Sequence, residues 1–186
     1  LKDKRPYGLY LFNSLLHAHI DSSKKIMPVT NGVNLDSMIS EKSTMLFIGD
    51  QFGLQNNELD VILTKVSNGS DLFISFNELT ENIYERLFDK VEISYDYADS
   101  VNVFIGKNRL TQYYLYQNDT LAHQWKAFYA IQPKDAAVYR SLSSFMEMSN
   151  LVRINYGKGY IFLHTNPEFF FNYQLKREDG YRFTSF

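Results

Sequence analysis

The feature that most constrains the fold is an alternation of strand and helix patterns between residues 44 and 88. The run TMLFIG, residues 44–49, is continuously apolar, which is typical of a parallel strand buried on both faces. A second run, DLFISF at 71–76, has the same character. The segment between them carries apolar residues at the i, i+3, i+4 and i+7 spacing of one helix face: Leu59, Ile62, Leu63 and Val66. This order predicts a β-α-β unit with a right-handed crossover.

Polar residues and a glycine predict where the helices of this unit begin and end. Asn56 or Asn57 can cap the first helix through a side-chain oxygen. Gly69 can supply the left-handed residue that ends it. Asn77 is predicted to cap a second helix, whose apolar side chains are Leu79, Ile83, Leu87 and Phe88.

The segment before this unit predicts one long helix and one short strand. Residues 5–20 carry two apolar stripes at helical spacing, so we expect a helix buried on two sides. Pro6 suits the first turn of that helix. The run KKIMPV at 24–29 is a short strand candidate.

After residue 90 the pattern changes to short, alternating, aromatic segments. They predict an antiparallel β section, inserted into or extending the α/β core, at about residues 91–131. Pro133 is predicted to start a helix with Val138, Leu142 and Phe145 on one side. The runs LVRINY and YIFLHT, joined around Gly157, predict a β-hairpin.

Composition excludes several classes of function. A chain of 186 residues with 45% hydrophobic residues can bury one core, so we expect a single domain over residues 1–186. The net charge of −2 argues against a nucleic-acid binder. The absence of cysteine removes disulfides, thiolate metal sites and cysteine nucleophiles. No P-loop and no G-x-G-x-x-G motif is present, so no cofactor is predicted.

Polar residues cluster where the predicted strands end. Asp50 follows the first strand, Asn77 and Glu78 follow the second, and His164 and Asn166 follow the last. Ligands of open α/β sheets bind beyond the carboxyl ends of parallel strands. A histidine and two carboxylates there could perform acid–base catalysis or hold a metal. The same residues are also ordinary turn and capping residues, and His164-Thr165-Asn166-Pro167 is a natural strand-ending turn.

Other nucleophile and metal patterns are incomplete. Ser75 lies near the position of a nucleophile elbow but lacks the flanking glycines of that motif. His17 and His19 are two residues apart on a predicted helix, so they cannot share a metal as i, i+4 histidines do. His123 stands alone beside Trp125. No metal site is predicted from these residues.

Three stretches resemble a known bacterial family. The motif Pro6-Tyr7-Gly8-Leu9-Tyr10, the stretch Val66–Ile74 and the closing GKGYIFLHTNPEFFFNYQL are similar to the domain-of-unknown-function family numbered 4350. The resemblance implies a class I glutamine amidotransferase-like, flavodoxin-like sheet in three layers, with helices on both faces. It also implies a parent protein anchored in the bacterial inner membrane through segments outside this chain, with this domain extracytoplasmic (periplasmic). Amidotransferase catalysis needs a cysteine nucleophile, and Phe76-Asn77 stands near where that cysteine would be.

The high tyrosine content, 14 residues, resembles that of Bacteroides-type envelope proteins. We expect a non-catalytic binding or interaction module that takes a small polar ligand or an envelope protein as its partner, without nucleic acid. The expected ligand cleft consists of Arg5, Tyr7, Asp50, Asn77, His164 and Asn166.

Two alternatives remain open. One is a hydrolase that uses Asp50, Glu78 and His164. The other is an assembly module that docks through exposed aromatic residues between 95 and 129, with sugar stacking on Trp125 or on Tyr113, Tyr114 and Tyr116 as a variant of ligand binding.

Overall fold

The structure, a computed structural model, describes residues 3–5, 7–21, 25–28, 35–40, 42–113, 123–134 and 138–184. Within these residues the helices are α1 Tyr10–His19, α2 Leu35–Met38, α3 Asn56–Ser67, α4 Glu81–Leu87, α5 Asn172–Leu175 and α6 Glu178–Phe183, with a 3₁₀ helix at Pro167–Phe170. The strands are β1 Thr44–Phe52, β2 Asp71–Leu79, β3 Phe88–Ala98, β4 Ser100–Ile105, β5 Asn108–Tyr113, β6 His123–Pro133, β7 Tyr139–Phe145, β8 Met148–Tyr156 and β9 Gly159–His164.

The described strands form one mixed sheet. Its path is β1-β2-β9-β8-β7-β4-β5, and the β3–β6 pair is attached through β8. β1, β2 and β9 run parallel, whereas the remaining pairings are antiparallel. The chain is therefore a mixed α/β protein in which three parallel strands continue into an antiparallel region. The predicted antiparallel section is confirmed, with β3 to β6 spanning residues 88–133.

The predicted β-α-β unit is confirmed. β1 and β2 are parallel neighbours, and α3 connects them with its stripe Leu59, Ile62, Leu63 and Val66 buried. The residue that precedes α3 is Gln55, one position before the predicted cap, and its backbone N–H donates to Glu58 Oε2 at 2.9 Å. Gly69 follows the helix with a φ of 112°, the left-handed region that glycine adopts without steric cost.

The prediction that Asn77 caps a helix is wrong. Asn77 lies inside β2, which continues to Leu79, and α4 begins after Thr80. The strand is longer than its apolar run because Glu78 and Leu79 still pair with Gln51 and Phe52 of β1. Backbone pairing, which hydropathy does not report, determines where this strand ends.

Three further predictions are corrected. Pro133 ends β6, and residues 139–145 form β7 instead of a helix, because their alternating burial matches a strand paired with β8. Residues 25–28 of the candidate strand KKIMPV have no strand structure. α1 has no buried residue, so it lies on the surface with half-buried apolar side chains. Pro6, predicted for its first turn, lies outside the described residues.

Two hydrophobic clusters lie on opposite faces of the parallel strands. Alternation along β2 sends Leu72 and Ile74 to one cluster and Phe73 to the other. α3 and α4 contribute to the first cluster, whereas the second includes Phe169, Phe170 and Phe183 from the C-terminal segment. Ser75 and Asn77 lie two and four residues after Phe73, on the same face of β2. They therefore face the segment that contains Phe169, Phe170 and Phe183.

The hairpin β8–β9 is packed tightly against the end of α3. A Cβ atom on Gly159 would lie 1.9 Å from the backbone oxygen of Ser70 and 2.6 Å from that of Val66. Backbone atoms cannot move aside as a flexible side chain can. Glycine at 159 thus allows β9 to lie beside β2.

We predict that Gly159→Ala lowers the free energy of unfolding by about 1–3 kcal/mol, since overpacking against backbone forces β9 away from α3. Chemical denaturation measures the change. Gly53→Ala is the matched control, because a Cβ there meets no atom within 4 Å, and its effect should stay within about 0.5 kcal/mol. Equal effects of the two substitutions would contradict the close approach.

Candidate functional site

A cluster of polar side chains lies at the carboxyl ends of β1 and β2. Asn77 Nδ2 donates to Asp50 Oδ1 at 3.1 Å and to Glu168 Oε1 at 2.8 Å. One amide group thus holds two carboxylates together. Asp50 and Asn77 were predicted to converge, whereas Glu168 was not predicted as a site residue. Glu168 enters the cluster because Pro167 starts a 3₁₀ helix three residues after His164, where β9 ends, and turns the chain back over the sheet.

A histidine from β6 completes the cluster. His123 Nε2 lies 3.5 Å from Glu168 Oε1, and the side chains are 14% and 6% exposed, respectively. The imidazole also packs edge-on against Trp125, with ring centres 4.7 Å apart. His123 looks isolated in the sequence because its partners come from β2 and from the C-terminal turn. For Glu168 a local signal existed: it is an acid enclosed by Pro167 and the three phenylalanines that follow.

The cluster has unused hydrogen-bond acceptors. Glu168 is 4% exposed, and its Oε2 has no hydrogen-bond partner among the described residues. Asn77 Oδ1 is also buried and unpaired there. Asp50 is exposed and connects the buried part of the cluster to solvent. Leaving a buried acceptor unpaired costs free energy, so this arrangement favours a ligand that donates hydrogen bonds.

His164 lies apart from this cluster in a hydrophobic environment. Its Nδ1 lies 2.8 Å from the Oγ of Ser75, which is fully buried. The ring is surrounded by four phenylalanines with centres 5.0–6.5 Å away: Phe73, Phe169, Phe170 and Phe183. Burial lowers the pKa of His164 to about 3, because a charged imidazolium would lose its hydration. His164 is therefore a neutral core residue.

Glu78 and Asn166 are placed away from the cluster as well. Glu78 is exposed and follows Asn77 in β2, so its side chain is on the opposite face of the sheet. Asn166 bonds the backbone of Lys126 in both directions, accepting from its N–H at 2.9 Å and donating to its oxygen at 2.8 Å. The turn interpretation of His164–Pro167 is confirmed, since β9 ends at His164 and Pro167 starts a 3₁₀ helix.

Arg5 and Tyr7 have local contacts that do not reach the cluster. Arg5 forms an ion pair with Asp3 at 2.6 Å, and the hydrogen bonds from Arg5 lower the pKa of Asp3 to about 2. The Tyr7 ring packs edge-on against Phe171 and Tyr173. Both residues belong to the N-terminal segment, which Asn172 holds through hydrogen bonds to the backbone oxygens of Asp3 and Arg5.

The aromatic residues divide into core and surface groups. Trp125 is fully buried, and its Nε1 donates to the Ala98 backbone oxygen at 2.9 Å, so it offers no surface for sugar stacking. Tyr95, Tyr97 and Tyr129 are 52%, 68% and 70% exposed. Tyr114 and Tyr116 lie outside the described residues.

Two further observations bear on ligand binding. Within the described residues no group of three or more His, Asp or Glu side chains has an arrangement suited to a metal ion. A shallow groove of about 570 Å³ lies near α3 and α4, lined in part by Asp60, Arg86 and Lys134. It is separate from the Asp50–Glu168 cluster, and its lining combines charged side chains with neutral ones such as Leu63 and Tyr156.

We predict that the stability of the protein falls as pH decreases from about 6.5 towards 3, in part because of His164. The unfolded state binds a proton near the ordinary pKa of 6.5, whereas the folded state does not until about pH 3. The contribution is fully present above pH 6.5 and is lost at up to roughly 1.4 kcal/mol per pH unit below it.

His164→Asn, which can keep the bond to Ser75, should reduce the loss of stability between pH 7 and 5, measured by chemical denaturation at each pH, by the contribution of His164. His17→Asn is the control, since His17 is exposed and should leave the slope unchanged. A wild-type slope that survives in His164→Asn would refute the assignment.

Comparisons with known proteins agree with this architecture. A model of the family described as Domain of unknown function (DUF4350) matches residues 2–185. The mmIFT52 N-terminal domain superposes with a TM-score of 0.55 at 14% identity, covering 96% of this chain and 87% of that one, so the two share a fold. No curated protein matches the sequence.

Two glycosidase structures match over smaller shares of their length. A catalytic mutant of Gan42B, a GH42 beta-galactosidase from G. stearothermophilus, gives a TM-score of 0.42 at 13% identity, over 66% of this chain and 18% of that one. The exo-beta-1,4-mannosidase Op5Man5 from Opitutaceae bacterium strain TAV5 gives 0.44 at 11% identity, over 73% and 24%. This chain thus spans less than a quarter of the length of either enzyme.

Proposed function

The chain belongs to the family of domains of unknown function DUF4350, and we propose that it is a binding module for a small polar ligand that carries a protonated amine. The proposed site is the cluster of Asp50, Asn77, Glu168 and His123 at the carboxyl ends of β1 and β2. One observation carries the proposal: a carboxylate that is 4% exposed keeps a free oxygen, Glu168 Oε2, beside a second carboxylate.

The charge of the cluster supports an amine over other donors. Asp50 and Glu168 are both acidic, and the amide that joins them is neutral, so an ammonium group would meet two anionic acceptors. Hydrogen bonds between charged groups are stronger than those between neutral groups. The ammonium group would donate to Glu168 Oε2, which has no hydrogen-bond partner among the described residues, and the exposed Asp50 would face the rest of the ligand. His123 would add a hydrogen-bonding wall.

Hydrolysis by the predicted alternative set has less support. Asp50 belongs to the cluster, Glu78 is exposed on the opposite sheet face, and His164 is a neutral residue among phenylalanines. A general base must lie within hydrogen-bond reach of the proton it abstracts. Binding uses residues that already lie together, and for this reason it is preferred.

The proposal also covers the cellular location of the domain and the evolutionary origin of its sheet. We place the domain outside the cytoplasm of a bacterium, tethered to the inner membrane by segments beyond this chain, as the resemblance of its sequence motifs to this family implies. No helix among the described residues is long and apolar enough to span a bilayer. The parallel strands β1-β2-β9 with α3 support an amidotransferase-like origin of the sheet, without cysteine chemistry, since the sequence contains no cysteine.

We predict that ethanolamine binds at this cluster and shifts the NMR amide signals of Asn77 and Glu168. Glu168→Gln should weaken binding by about tenfold or more, because it removes a charge-assisted hydrogen bond worth roughly 1.5–3 kcal/mol. The substitution keeps an oxygen that can accept from Asn77, so the fold should be preserved.

Two controls make the experiment specific. Ethylene glycol has a hydroxyl where ethanolamine has the ammonium group, and it should bind much more weakly. Glu78→Gln removes a carboxylate from the neighbouring residue on the opposite face and should not change the affinity. Equal binding of the two probes, or an unchanged affinity in a folded Glu168→Gln variant, would rule out the proposed site.

A further inference from the structure

Two arginines lie directly opposite each other in the antiparallel part of the sheet. The register of β7 and β8 pairs Arg140 with Arg153. Cβ atoms of directly opposed residues are about 4.5–5.5 Å apart, and like charges at that spacing are destabilising. A pair of this kind on a sheet face is unfavourable unless something neutralises it.

No carboxylate of the described residues neutralises this pair. Arg5, Arg86 and Arg182 each have an ion pair with an aspartate, whereas neither Arg140 nor Arg153 has one within the described ranges. Asp71, on the same sheet face, accepts a hydrogen bond from the Tyr160 backbone N–H at 3.0 Å and forms no ion pair with either arginine. The positive charge of Arg140 and Arg153 is therefore uncompensated.

Arg153 is held in place with an unused donor. Its guanidinium carbon lies 4.6 Å from the centre of the Tyr160 ring, a cation–π contact that holds the group beside this ring. Its Nε is buried and has no hydrogen-bond partner among the described residues. Arg140 is exposed. The pairing of β7 with β4 lies further along the strand, at Ser144, so no β4 residue pairs with Arg140 and its side chain can adjust to a ligand.

We propose that Arg140 and Arg153 form a binding site for an oxyanion, a carboxylate or phosphate group with at least two acceptor oxygens. The guanidinium group presents donors in a planar fork that matches such groups. Arg153, held by its contact with the Tyr160 ring, donates hydrogen bonds to one oxygen of the anion. Arg140 donates to a second oxygen of the same anion. The bound anion relieves the repulsion between the two arginines. This site involves none of the residues of the Asp50–Glu168 cluster and does not depend on it.

Inorganic phosphate is the probe, titrated into the protein at constant ionic strength set with sodium chloride and followed by NMR and by thermal unfolding. We expect saturable shifts at Arg153 and Tyr160 and a rise in the melting temperature. Arg153→Gln should weaken phosphate binding by about tenfold, because it removes a charge-assisted hydrogen bond. A second titration with acetate identifies the ligand class: shifts with phosphate alone indicate a phosphoryl group, and shifts with both indicate that a carboxylate also fits.

The melting temperature of Arg140→Glu, with and without phosphate, provides a second test. It turns the like-charge pair into an opposite-charge pair, so the melting temperature without phosphate should rise, while the rise caused by phosphate should disappear. Arg177→Gln is the matched control: Arg177 also stacks on a tyrosine, at 4.3 Å from Tyr113, but no arginine opposes it in a strand register. It should bind phosphate as the wild type does.

Three outcomes would overturn the proposal. The first is a wild-type response to phosphate no larger than the response to chloride. The second is a phosphate response that persists in Arg140→Glu and Arg153→Gln. The third is an Arg140→Glu variant that melts below the wild type without phosphate, which would show that the two arginines do not repel each other in the folded protein.

Discussion

The side chain of Asn166 joins the parallel and antiparallel parts of this fold. It bonds both the N–H and the oxygen of Lys126, and Thr165 Oγ1 adds a bond of 2.5 Å to the same oxygen. β6 pairs with β8 only at Phe128, so these side chains provide the backbone partners that a neighbouring strand would provide. Asn166, Thr165 and Lys126 are all buried, so breaking the contact between Asn166 and the Lys126 backbone would leave buried polar groups unpaired. The positions of His123 and Trp125, a few residues earlier in β6, follow from this contact.

The turn after β9 supplies polar and apolar groups from adjacent residues. Glu168 reaches Asn77 at the end of β2, whereas Phe169 and Phe170 pack around His164. A single 3₁₀ helix can do both because consecutive residues point in different directions around its axis. The apolar contacts keep the helix in place, and with it the buried carboxylate. The polar cluster therefore depends on aromatic packing by residues that do not belong to it.

The parts of the fold that depend on local pattern were predictable from the sequence. The β1-α3-β2 unit, the antiparallel section and the β8–β9 hairpin all follow from hydrophobic periodicity and turn residues. The errors arose where pairing between distant segments decides the structure. β2 extends over Asn77 because β1 continues beside it, and residues 139–145 form a strand because β8 is their neighbour.

The candidate site was predictable to the same extent. Asp50 and Asn77 follow from the rule that polar residues meet at the carboxyl ends of parallel strands, and Asn77 does bond Asp50. Glu168 and His123 join them through a turn and a strand whose placement needs the tertiary structure. His164 is a histidine like His123, yet its burial among phenylalanines makes it a core residue. Residue type alone does not separate these cases.

The position of β9 in the sheet also sets the order in which the protein can assemble. β2 lies between β1 and β9, and the Ser75–His164 bond across that boundary joins residues 89 positions apart. During synthesis at about 5–20 residues per second, one side of β2 stays without its partner for roughly 5–20 seconds. Such long-range parallel pairing slows folding and leaves strand edges open to other chains. The synthesis of β9 therefore controls when β2 gains its second neighbouring strand.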